Sequence, residues 1–205
     1  MFLVSMFSYR KYGIFSVLIF SFLFFGCEEN FRSPQPGILE IRVKAITSLY
    51  RSSHPIYRNG LSVMLNNVAA IRNDDAILQV YSDIRSTKRY PSLIDLLDTL
   101  ALDSSLILGQ TYTPTGEYKR VNVNLAPIGF SFFNGYQNQF IPVIDIREAG
   151  QEVLYLLQNF TVNEMKKTVV TISVDIDSSV IRSVVDGMDV FLFQPKFWIS
   201  SVKVQ

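Results

Sequence analysis

The residues best placed for chemistry are few. The chain has one cysteine, Cys27, and one histidine, His54. His54 precedes Pro55 in a polar stretch with no thiol beside it, so neither a metal centre nor a nucleophile-base pair is expected of it. Asp175 and Asp177 stand two apart in an alternating stretch. On a strand both would share one face, roughly 7 Å apart. With Asp186 and Asp189 further on they could offer oxygens to a calcium ion. EF-hand spacing is missing, and the expected outcome is a solvated acidic face without metal. No serine sits in a Gly-x-Ser-x-Gly elbow, and no glycine-rich phosphate loop appears. The sequence therefore points to a non-enzyme without a cofactor. A binding surface is the alternative chemistry. Phe130, Phe132, Phe133 and Tyr136, with Phe140, cluster around Asn134-Gly135. Exposed, they would stack on sugars or anchor a partner protein; turned inward, they would fill a core.

Cys27 gains meaning from what precedes it. Residues 1–26 carry Arg10 and Lys11 and no acidic residue, and Tyr12–Phe25 is apolar apart from Gly13, Ser16 and Ser21. This is the charged and then apolar layout of a secretory signal. The run is short for a spanning helix, which needs roughly 20 apolar residues. It ends Leu23-Phe24-Phe25-Gly26-Cys27, which resembles the lipobox of bacterial lipoproteins, with Phe24 where leucine is usual. The resemblance implies a diacylglyceryl group on the Cys27 thiol and cleavage after Gly26. The expected location is the bacterial cell envelope, on the outer membrane, with lipid at Cys27 as the membrane contact.

Removing residues 1–26 leaves 179 of the 205, and 17 of the 19 basic residues against 18 acidic ones. This near-neutrality disfavours a nucleic-acid partner, which would select a basic stripe. Residues 27–36, with Glu28-Glu29, Pro34 and Pro36, read as a flexible tether, and residues 37–205 as one domain.

The elements that must position any site read as strands. Leu39, Ile41, Val43 and Ala45 alternate with Glu40, Arg42 and Lys44, the period of a half-buried strand. Similar alternation covers 61–66, 120–125 and 170–177, and shorter apolar runs cover 77–81 and 153–162. Asn134-Gly135 predicts a hairpin between 130–133 and 136–144. Residues 190–202 read as a last strand with Pro195 at an edge or bulge. Leu93, Leu96, Leu97 and Leu100 have helical spacing behind Ser92. The expected fold is mainly β: an antiparallel sandwich of immunoglobulin or transthyretin type, with one short helix near 92–101.

Several stretches resemble, in order, the bacterial lipoprotein family catalogued as domain of unknown function 4382. They are Gly37-Ile38-Leu39-Glu40-Ile41, Ile94-Asp95-Leu96-Leu97, Gly116-Glu117-Tyr118 entering Lys119-Arg120-Val121-Asn122-Val123, Val174-Asp175-Ile176-Asp177-Ser178-Ser179-Val180-Ile181, and Phe191-Leu192-Phe193-Gln194-Pro195-Lys196-Phe197-Trp198-Ile199. The resemblance implies a β-sandwich on a lipid anchor, with no activity attached to it. The functional expectation is a non-catalytic envelope module that binds a partner protein or a glycan. A structural subunit or anchor of a surface assembly is the second reading, and an envelope hydrolase the third.

Overall fold

The computed structural model describes residues 33–48, 59–82, 92–98, 104–133, 138–146 and 153–205. Cys27, His54 and Tyr136 lie outside the described residues. Pro34–Gln205 form one compact unit. Ser33–Pro36 are exposed and irregular, as two prolines require.

The described elements are β1 (Gly37–Ile46), β2 (Asn59–Arg72), β3 (Ile77–Ser82), β4 (Ser92–Asp95), β5 (Leu106–Thr113), β6 (Gly116–Phe133), β7 (Asn138–Asp145), β8 (Val153–Val162), β9 (Lys167–Asp175), α1 (Ile176–Ser179), β10 (Val180–Val185), β11 (Met188–Phe193) and β12 (Phe197–Val204). The described residues form a mainly β, two-sheet sandwich with one short helix. The smaller sheet runs β12-β9-β1-β5 and the larger β10-β11-β7-β6-β2-β3. β2 and β6 are long, and each gives its two halves to different neighbours. β6 holds β8 along 116–124 and β7 along 129–133, while β2 holds β4 along 62–65 and β3 along 67–71.

The alternating stretches turn one set of side chains inward. Leu39, Ile41, Val43 and Ala45 meet Leu61, Val63, Leu65, Val121, Val123 and Leu125 in one buried cluster with Val170, Ile172 and Val174. Each fully buried aliphatic side chain is worth about 1.5–3 kcal/mol. β5 of the smaller sheet passes close to β3 of the larger. A Cβ on Gly109 would stand 2.9 Å from the Val80 carbonyl oxygen and 3.0 Å from Tyr81 Cβ. Gly109→Ala is expected to cost about 1–3 kcal/mol by forcing two backbones apart, read as a lower urea midpoint.

Three expectations need correction. The helix near 92–101 is not formed over its described part. Ser92–Asp95 pair with β2 as a strand, and residues 96–98 form a turn. Asp95 Oδ1 accepts hydrogen bonds from the Leu61 and Leu97 amides, each at 2.9 Å. That bond to the residue two ahead closes a side-chain turn that competes with helix, while Leu96 and Leu97 enter the core. The helix among the described residues is α1 instead, in a stretch expected to extend the ninth strand. Second, the sandwich is not wholly antiparallel, because β1 pairs with β9 and β7 with β11 in parallel. Third, the last run is two strands in different sheets. Pro195 lies in the irregular crossing Gln194–Lys196, since it has no amide hydrogen for a ladder. Buried Ser179 ties the crossing down: its carbonyl accepts from the Gln194 amide at 2.7 Å and its hydroxyl from the Lys196 amide at 2.9 Å.

Candidate functional site

The outer face of the larger sheet, where β8, β6, β2 and β3 lie side by side, carries the candidate site. Inward-pointing Val121 and Val123 on β6 oblige Arg120, Asn122 and Asn124 to point outward. Their neighbours across β2 are Ile71, Ala69 and Asn67. Across β8 they are Leu157, Tyr155 and Val153. A polar strip of Asn67, Asn122, Asn124 and Arg120 is thus flanked by the Tyr155 ring, which is 61% exposed, and by exposed Leu157.

The hydrogen bonding of this strip is incomplete. Asn66 Nδ2 donates to Asn124 Oδ1 at 3.3 Å. Asn67 Oδ1, Asn122 Oδ1 and Arg120 Nε are shielded from water and have no hydrogen-bond partner. Each such atom costs about 1–3 kcal/mol in lost hydration. Folded chains rarely leave them so, and three on one face form a set of unused acceptors and a donor. Arg120 stands over the Tyr155 ring at 5.4 Å from its centre, within reach for a cation–π contact. Asn67, Arg120 and Asn122 are half-buried as residues, and turning either amide by 180° would bring its oxygen to the surface beside the exposed Tyr155 ring, a combination suited to hydroxyl groups on an apolar ring.

The sequence-derived candidates fare differently. Phe130 is 6% exposed, packs in the core and lies 4.8 Å from the Phe191 ring centre. Phe132 packs against the same core. Alternation on β6 turns both inward, so Phe130 presents no face to a ligand and Phe132 keeps only part of its ring exposed. Phe133 ends β6, and its side chain lies outside the described residues, as Tyr136 does entirely. Phe140 is exposed, its ring lying over Gly129, where a Cβ would collide with it.

Asp175 and Asp177 do not share a strand face, since β9 ends at Asp175. Asp175 caps α1, its Oδ1 accepting from the Ser178 amide at 3.2 Å and its Oδ2 from the Ser178 hydroxyl at 2.6 Å. Asp177 accepts from Thr47 Oγ1 at 2.5 Å and the Ser48 amide at 2.6 Å. Asp186 lies in the β10–β11 turn, and Asp189 pairs with Arg182 at 3.0 Å. Among the described residues no three acidic, histidine or cysteine side chains gather to hold a metal.

A second polar group lies on the outer face of the smaller sheet. Glu40 on β1 is 1% exposed, between Arg42 Nε and Lys167 Nζ, both at 2.5 Å. Burial pushes its carboxyl upward, but the hydrogen bonds and charges of Lys167 and Arg42 outweigh this and hold it below the usual glutamate value. The trio is internally satisfied and has the character of structure.

Strand alternation marked Arg120, Asn122 and Asn124 as outward. Nothing local marked Asn67 and Tyr155 as their neighbours, which only the pairing of β2, β6 and β8 decides. No protein-family model, no curated protein and no solved structure matches the chain.

Proposed function

We propose that the chain is a lipid-anchored bacterial envelope protein whose sandwich binds a glycan, without catalysis, on the outer face of the larger sheet. The observation that carries this reading is the trio of unpartnered polar atoms on Asn67, Arg120 and Asn122 beside exposed Tyr155. Sugar hydroxyls both donate and accept, so they satisfy amide oxygens and a guanidinium together. The apolar face of a sugar ring stacks on tyrosine. A protein partner is the other occupant of such a face; it would bury a wider area and rely on fewer unpaired amides.

The test is titration of the full-length protein, held in detergent micelles, with a panel of neutral and acidic oligosaccharides. Asn122→Ala removes an unsatisfied acceptor. It is expected to leave stability unchanged or raise it by about 1 kcal/mol, while weakening sugar binding about tenfold, the equivalent of roughly 1.4 kcal/mol. Tyr155→Ala should weaken binding at least as much. Unaltered binding in both variants would remove the reading.

The anchor rests on the apolar run ending Gly26-Cys27. Burying each methylene of an acyl chain is worth about 0.8 kcal/mol, so two or more chains hold stably. Cys27→Ser is expected to abolish labelling by radioactive palmitate and to release the protein from membranes. Labelling that persists in the variant would refute the anchor.

A further inference from the structure

We propose that β10 is a self-pairing edge: two copies of this chain join through antiparallel pairing of their Val180–Val185 strands. This assignment concerns strands remote in the sheet order from the glycan face and stands independently of it.

Among the described residues β10 is the end strand of the larger sheet, with only β11 beside it. The two strands meet in the two-residue turn Asp186-Gly187, with φ +52° and +80°, the left-handed pair of a type I′ hairpin. Val185 opposes Met188 at the turn and forms its closing hydrogen-bonded pair. Hydrogen-bonded and non-bonded pairs then alternate, so the backbone N–H and C=O of Val184 and Arg182 point away from β11. Natural edges are blunted by proline, bulges or charge. β10 has no proline, and its pairing with β11 runs without a register break. Its one charge, Arg182, is partly engaged by Asp189. Around it Ile181, Val184, Val185 and Met188 are 45%, 65%, 38% and 64% exposed, an apolar rim on an open ladder.

The sequence of the edge selects a second copy and a register. A two-fold axis at Arg182 would oppose two arginines. A two-fold at Val184 opposes Val184 to its counterpart, Ser183 to Val185, and Arg182 to Asp186 at both ends. That register covers the most exposed strand valine and pairs opposite charges twice, the arrangement that favours a cross-strand pair. The residues meet reciprocally, as an isologous contact requires.

The test uses the full-length protein in its membrane. Residues opposed across a hydrogen-bonded pair have Cα atoms about 5.5 Å apart, inside the range a disulfide spans. Under mild oxidation Val184→Cys is expected to run as a covalent dimer on a non-reducing gel. The wild-type chain, and Ile77→Cys, an equally exposed site on β3, should stay monomeric. Adding Asp186→Asn, which keeps a left-handed turn residue but removes the charge, should reduce the dimer severalfold. A monomeric but folded Val184→Cys protein, or equal cross-linking at Ile77→Cys, would overturn the proposal. An undiminished dimer with Asp186→Asn would overturn the register.

Discussion

Tyr118→Ala should destabilise the sandwich by about 3–5 kcal/mol, the range for deleting a buried aromatic side chain. Tyr118 is fully buried at the start of β6 and lies 5.3 Å from the Phe160 ring centre, the planes 12° apart. Its hydroxyl donates to the Pro114 carbonyl at 2.8 Å, four residues back, across the turn from β5. Since β5 belongs to the smaller sheet and β6 to the larger, this bond fixes the chain where it passes between sheets. Burial pushes the phenol above its ordinary value, which keeps the donor protonated. The ring and the hydroxyl can be separated experimentally. Tyr118→Phe keeps the stacking and should cost only about 1 kcal/mol. Urea unfolding of both variants tests this; near-equal losses would show that the hydroxyl, not the ring, dominates.

The second large effect belongs to Glu40. Removing one member of a fully buried ion pair costs about 3–5 kcal/mol, because the partner is left uncompensated. Arg42 and Lys167 are about one-third exposed and keep part of their hydration. Glu40→Gln is therefore expected to cost about 2–3 kcal/mol at neutral pH, below the fully buried range. The sign with pH follows from the lowered carboxyl. A group whose folded value is depressed adds stability above its unfolded value and loses it as the pH falls through the folded one. Wild type and Glu40→Gln should thus differ at neutral pH and converge in acid. Unfolding curves at both conditions check it; a gap of constant size would assign the loss to packing instead of charge.

Local patterning carried the reading of β1, β3 and β8, the middle of β2 and β6, and the β6–β7 hairpin, because hydrophobic periods of two survive any tertiary arrangement. It failed at residues 92–98, where leucine spacing fits a helix but Asp95 bonds the Leu61 amide on another strand. It failed again after Asp175, where an alternating pattern continues past the end of β9 into α1. β5 and β10 were also missed. Leu106–Thr113 contains glycine and three polar residues, and Val180–Val185 is an edge with exposed valines, so neither has clean alternation.

The site divides the same way. The sequence by itself determined that Arg120, Asn122 and Asn124 share the outer side of a strand, and that Cys27 follows an apolar run suited to lipidation. Periodicity and a contiguous motif are local properties of a chain. Only the tertiary structure decided that Phe130 belongs to the core with Phe132 packed against it, that Asp177 ties α1 to Thr47 and Ser48 after β1, and that Asn67 and Tyr155 flank the β6 strip. Those outcomes depend on strand register and sheet order, which join residues tens of positions apart. No window of the sequence contains them.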